Sequence, residues 1–203
     1  MFDIEIKIDK LVCHSGGAKG SDSIFESVCM QNNIEVKAYS YKTKYHISPN
    51  KIEISEEDYK EGMSEIYKAN RFLNRWGINK YMNLLARNWA QVKYSDEIFA
   101  IGYIIKSGSK GQKGYYNNSK FDVVDGGTSY SIQMGINHKR PIHVFEQNKK
   151  KWYRWSYITD TFIEENDPVI SKENFAGVGT REINEFGCKA IKDLIERSVS
   201  FIQ

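Results

Sequence analysis

The sequence predicts an α/β fold: a Rossmann-like, doubly wound, mostly parallel sheet with helices on both faces. Three observations lead there. Short apolar runs alternate with longer amphipathic segments, the order that builds parallel strands joined by crossover helices. Three of the runs end in glycines that precede a helix, at residues 15–22, 125–129 and 177–182. The runs themselves carry few charges, as strands covered on both faces must.

The chain has 203 residues, which fits a single domain over 1–203. No apolar run approaches the ~20 residues that span a bilayer, so no membrane partner is expected. The start, Met1-Phe2-Asp3-Ile4-Glu5-Ile6-Lys7, carries acids and no apolar core; no export signal is read there, and a cytoplasmic location is expected. The net charge is +3, from 29 basic and 26 acidic residues, a balance that argues against nucleic acid as a partner. Cys13, Cys29 and Cys188 are odd in number and fit no zinc spacing. They read as reduced thiols, and no metal site or resident cofactor is assigned.

The elements follow in order. Leu11-Val12-Cys13-His14 reads as a buried strand feeding a glycine turn. Residues 20–33 read as a helix with Ile24, Phe25, Val28 and Cys29 on one face, and residues 34–41 alternate like a strand. Ser55-Glu56-Glu57-Asp58 opens a helix to about 75 with a capping-box-like start. A further helix covers about 79–92. Glu97-Ile98-Phe99-Ala100-Ile101 is a buried strand. The Gly, Lys, Ser and Asn content of 106–120 predicts a mobile loop, a candidate lid. Val123-Val124 leads into the second glycine turn and a helix over 129–137, followed by a strand at 141–146. The basic, aromatic stretch 148–160 alternates like a hairpin or edge element. A strand ending at Gly177 and Gly179, then a helix over 184–199, closes the order.

The candidate site follows from the glycine turns. Glycine lets backbone approach a ligand closely. The helix start beyond it offers free N–H groups and the positive dipole end, which suit phosphate. In a parallel sheet such turns gather at the carboxyl ends of the strands. The candidate ligand-binding residues are therefore Ser15, Gly16, Gly17, Ala18, Gly20, Ser21 and Asp22 in the first turn. Gly126, Gly127, Thr128, Ser129 and Tyr130 come from the second, and Gly177, Gly179, Thr180, Arg181 and Glu182 from the third. Arg87 and Asn88 join them from the helix before the Phe99 strand, Arg87 as a bidentate phosphate partner. His14 has no nucleophile beside it in sequence and reads as a structural or ligand-contacting histidine. No catalytic residue is assigned.

Ser15-Gly16-Gly17-Ala18-Lys19-Gly20-Ser21-Asp22 resembles the "SGGAxGxD" turn of the SLOG superfamily, which includes lonely-guy-like and DprA-like Rossmannoid domains. Leu85-Ala86-Arg87-Asn88, followed by Ser95-Asp96-Glu97-Ile98-Phe99-Ala100-Ile101, is similar to that family's arginine helix and next strand. Asp125-Gly126-Gly127-Thr128-Ser129-Tyr130 resembles its second glycine turn. With Phe175-Ala176-Gly177-Val178-Gly179-Thr180-Arg181-Glu182, the whole looks like small stand-alone SLOG-like proteins of bacteriophages. In DprA-like members the glycine–serine–arginine strand precedes the first turn. Here its equivalent follows at 177–182, so the resemblance implies a circular permutation that returns this strand beside the Leu11 strand.

The resemblance implies a phosphate-bearing, nucleotide-derived ligand such as a cyclic nucleotide or an ADP-ribose derivative. The ligand would be sensed, or sequestered by a phage anti-defence sponge in the host cytoplasm, with Tyr130 stacking on its base. A homodimer or higher homo-oligomer is also implied. The alternative is a lonely-guy-type phosphoribohydrolase. Those enzymes carry a glutamate in the second turn, whereas Ser131, Ile132 and Gln133 supply no carboxylate here, and Asn88 stands where a lysine follows the family's arginine. DprA-like binding of single-stranded DNA is the third option.

Overall fold

The computed structural model describes residues 10–112 and 114–202. The amino-terminal segment read for an export signal lies outside them. Eight strands form one sheet. In chain order they are β1 (Val12–Ser15), β2 (Glu35–Ser40), β3 (Lys51–Glu53), β4 (Glu97–Gly102), β7 (Ile142–Glu146), β8 (Lys151–Ser156), β9 (Thr161–Glu165) and β10 (Asn174–Gly179). Two short strands, β5 (Ile104–Ile105) and β6 (Val123–Val124), pair antiparallel in a separate ribbon. The helices are α1 (Ser21–Gln31), α2 (Glu56–Leu73), α3 (Met82–Lys93), α4 (Thr128–Asn137) and α5 (Glu185–Ile202).

The sheet order is β3-β2-β1-β10-β4-β7-β8-β9. The first six strands in that order run parallel, and β8 and β9 complete one edge antiparallel. The mostly parallel Rossmann-like α/β architecture is therefore present. β10 lies between β1 and β4, with Cys13 opposite Phe175 and Phe175 opposite Glu97.

Alternation along β4 and β10 assigns the faces. Ile98, Ala100, Ala176 and Val178 pack into a core with α2, α3 and α4. Phe99, Ile101 and Phe175 point the other way, against Phe25 and Cys29 of α1 and Ile191, Leu194 and Ile195 of α5. Each helix lays one apolar stripe on the sheet, which is what burial of a 3.6-residue period requires. Ser55 caps α2 by accepting the Asp58 N–H, and Asn74 ends it in a left-handed conformation.

Several details depart from the sequence reading or add to it. The helix read from 79 begins as a 3-10 turn over Ile78–Tyr81, and the α-helix starts at Met82. The short strands β3 and β5 carry too few residues for a periodic signal. The stretch 106–120 is laced together internally. Asn117 N–H donates to the Ser109 carbonyl (2.8 Å), and the Asn117 amide reaches the carbonyls of Ile105 (3.0 Å) and Phe121 (2.8 Å). In the aromatic segment, Trp152 and Trp155 on β8 are buried. Among the described residues, no helix is long and apolar enough to cross a membrane.

Candidate ligand-binding site

Beyond the carboxyl ends of the parallel strands lies a cavity of about 550 Å³, a size that encloses a small ligand. The third turn lines it through Gly179, Thr180 and Arg181, and the second through Gly126, Gly127, Thr128 and Tyr130. α3 contributes Arg87 and Asn88. From the first turn only Ala18 and Asp22 reach it. The parallel sheet brings the first and third turns, after β1 and β10, to this place. The second arrives from the separate antiparallel β5–β6 ribbon instead of from a parallel strand as read from the sequence, and the three shares are unequal.

Arg87 dominates the interior. It is 4% exposed, and its guanidinium stands 3.7 Å from the Asp22 carboxylate and 3.2 Å from Gln91 Oε1. Its buried Nε has no hydrogen-bond partner. Burial and the nearby Arg181 charge pull the Arg87 pKa down, while Asp22 holds it up. The complementary effect acts on Asp22. Burial pushes its carboxyl up to about 6, against the pull of Arg87 and of hydrogen bonds from the backbone of Ala18 and Gly179. A buried cation so thinly bonded is costly.

The first turn is mostly occupied by the protein itself. A β-carbon on Gly16 would fall 1.4 Å from Arg87 Nη1, and one on Gly17 would fall 2.1 Å from His46 Nε2. The Gly17 N–H donates to Ser15 Oγ (3.3 Å) and Glu26 Oε1 (3.1 Å), and the Gly17 carbonyl accepts from the Ile47 N–H (2.9 Å). Gly20, at φ 106, lies against the backbone of Thr180 and Arg181, and Ser21 Oγ donates to the Thr180 carbonyl (2.8 Å). Ser15, Gly16, Gly17, Gly20 and Ser21 therefore shape the site from behind. Gly177 makes room for the Phe25 ring. Ser129 Oγ caps the Gly126 carbonyl (2.8 Å), and Glu182 lies off the lining. His14 is buried away from the cavity, between the Tyr39 hydroxyl (2.9 Å) and the Asn174 side chain (3.0 Å).

A solved structure shares this fold. It is a protein from Syntrophus aciditrophicus described as a "putative molybdenum carrier protein", 13% identical in sequence, with a TM-score of 0.50 over 93% of this chain and 94% of the other. The likeness shows a Rossmann-like α/β fold. No protein-family model matches the chain, and no curated protein matches it.

The sequence reading missed one group of lining residues: Arg75, Trp76, Tyr81, Tyr115 and Tyr116. Arg75 leaves the end of α2 and donates to the carbonyls of Gly126 and, at 3.2 Å, Val124, so it clasps the second turn. Burial pulls its pKa down. The available signal was Asn74-Arg75-Trp76-Gly77, an arginine and a tryptophan framed by two residues that favour the left-handed region.

Proposed function

We propose that this protein binds a phosphate-bearing, nucleotide-derived small molecule and holds it intact. The observation that carries the reading is Arg87, a buried guanidinium on the cavity wall with an unpartnered Nε. Arg181 adds a second cation and Thr128 offers a hydroxyl where α4 begins. Asn88, Gly126, Gly127 and Gly179 also line the cavity, together with Gln91, Asn118, Ser131 and the carboxyl residues Asp22 and Asp125. The SLOG resemblance supplies the ligand class, a cyclic nucleotide or an ADP-ribose derivative, and the role of a sponge that withholds such a signal. Self-association, which the same resemblance implies, is measured by sedimentation.

The test is chemical. The protein is dialysed against AMP, ADP-ribose and a cyclic dinucleotide, then denatured, and the retained compound is identified by mass spectrometry. One intact ligand per site is the expected outcome. Release of free base or ribose phosphate over many turnovers overturns holding in favour of a phosphoribohydrolase. One observation favours that second reading: a carboxyl raised to about 6 inside a cavity, at Asp22, is suited to proton transfer. The fold neighbour's description suggests one further probe, molybdate, whose oxygens Arg87 and Arg181 could also bind. Retention of molybdate with none of the three nucleotides overturns the nucleotide reading.

A further inference from the structure

The rim of the cavity carries aromatic rings that the core does not use. Trp76 is 93% exposed and Tyr115 53%, yet both line the cavity. The other three tryptophans, Trp89, Trp152 and Trp155, are buried. An indole left in water forfeits the burial that normally places tryptophan inside.

The turn that presents Trp76 is built, not slack. Asn74 at φ 49 and Gly77 at φ 73 bracket Arg75 and Trp76 in left-handed conformations. The Asn70 side chain bonds both the N–H (3.2 Å) and the carbonyl (3.0 Å) of Arg75. The Arg75 guanidinium is pinned to the second glycine turn and lies 6.0 Å from the centre of the Tyr115 ring. Tyr115 is held in turn, its carbonyl accepting from the Gly111 N–H at 2.7 Å. Arg75 thus ties together the Trp76 turn, the Tyr115 loop and the turn that follows β6. Tyr130, the ring the sequence singled out, also lines the cavity but is 3% exposed, donates its hydroxyl to Asn70 (2.8 Å) and has the Arg75 guanidinium 5.9 Å from its ring centre.

We propose that Trp76 and Tyr115 are a stacking platform for a planar aromatic base, with the phosphate of the same molecule directed past the exposed Arg181 to the buried Arg87. The proposal rests on the nucleotide reading above and deepens it by giving the ligand a direction. A cavity charged within and aromatic at its mouth matches a molecule that is anionic at one end and aromatic at the other. Stacking on exposed rings tolerates any base, so the platform sets affinity for base-bearing ligands more than it selects among them.

The experiment titrates AMP, ADP-ribose, a cyclic dinucleotide and the base-free ribose 5-phosphate, reading affinity by isothermal titration calorimetry for every variant and following acrylamide quenching of tryptophan fluorescence in the wild type. Trp76 dominates the accessible signal because the other tryptophans are buried. Base-bearing ligands are expected to shield it. Trp76→Ala and Tyr115→Ala should each weaken those ligands about tenfold or more, Trp76→Phe should restore most of the affinity, and affinity for ribose 5-phosphate should not move. Arg87→Ala should weaken all four. Base-bearing ligands that bind wild type, Trp76→Ala and Tyr115→Ala equally well overturn the platform and leave the phosphate reading standing. Wild-type protein that binds none of the four probes overturns both.

Discussion

The first and second glycine turns look alike in sequence, and the fold spends them differently. In the turn after β1, glycine makes room for the protein's own parts: Arg87 over Gly16, His46 over Gly17, and the backbone of Thr180 and Arg181 against Gly20. In the turn after β6, the nearest atom to a β-carbon on Gly127 is Leu85 Cδ2 at 3.8 Å, and nothing lies within 4 Å of one on Gly126. That turn faces the cavity. A glycine-rich turn therefore reports close approach without saying whose atoms approach.

Substitutions can break or sharpen this contrast. The largest effect is expected from Gly20→Ala. Its β-carbon would meet Arg181 Cα at 2.5 Å and the Thr180 carbonyl at 2.7 Å, at a positive φ. Rigid backbone on both sides should cost about 3 kcal/mol, read by denaturant unfolding. Gly16→Ala comes next. It strikes the movable tip of Arg87, so stability should fall by about 1–2 kcal/mol, while ligand affinity falls as far as it does in Arg87→Ala. A Gly16→Ala protein with wild-type affinity would mean that Arg87 has no part in binding.

Asp22 gives a pH signature whose size lies between the Gly20→Ala and Gly16→Ala effects. Its carboxyl is raised from 3.8 to about 6 in the folded protein, so folding favours the protonated form. That contribution is fully present below about pH 4 and is lost as pH rises through 6, costing roughly 2–3 kcal/mol. Asp22→Asn should flatten the profile in that window. Ionised Asp22 also competes for Arg87, so affinity for a cyclic dinucleotide, whose phosphodiesters do not titrate there, should fall as pH rises through 6. The smallest effect belongs to Gly127→Ala. With helical φ and open space around it, stability should change by less than about 0.5 kcal/mol. Any change in affinity would then report a ligand close to that turn.

The main architecture was legible because its signals are local. Apolar runs ending in glycine gave β1 and β10, alternation gave β2, and a largely apolar run gave β4 as a buried strand. The convergence of the first and third turns followed from parallel strands sharing an end, whereas the second reaches the cavity from the antiparallel β5–β6 ribbon, which the sequence did not reveal. The division of labour among those turns was not legible, because it depends on contacts distant in sequence. Gly16 meets a side chain from α3, and Gly20 meets the end of β10. The aromatic rim was missed for a related reason. Trp76 and Tyr115 lie on separate loops with no common period, and only the clasp of Arg75 on the Gly126 and Val124 carbonyls reveals that they belong to one mouth.

The position of β10 has a consequence for how the molecule comes to exist. Both its partners, β1 and β4, precede it in sequence, and it separates β1, β2 and β3 from β4, β7, β8 and β9. Until residues 174–179 arrive, each half presents a bare inner edge, the kind of template that recruits other chains. Such long-range closure slows folding and exposes sticky intermediates. A nascent or clipped chain without β10 should therefore aggregate instead of persisting as a weaker version of the protein. Arg87 and Arg181 meet only when this last strand docks, so binding competence should appear all at once, late, and together with solubility.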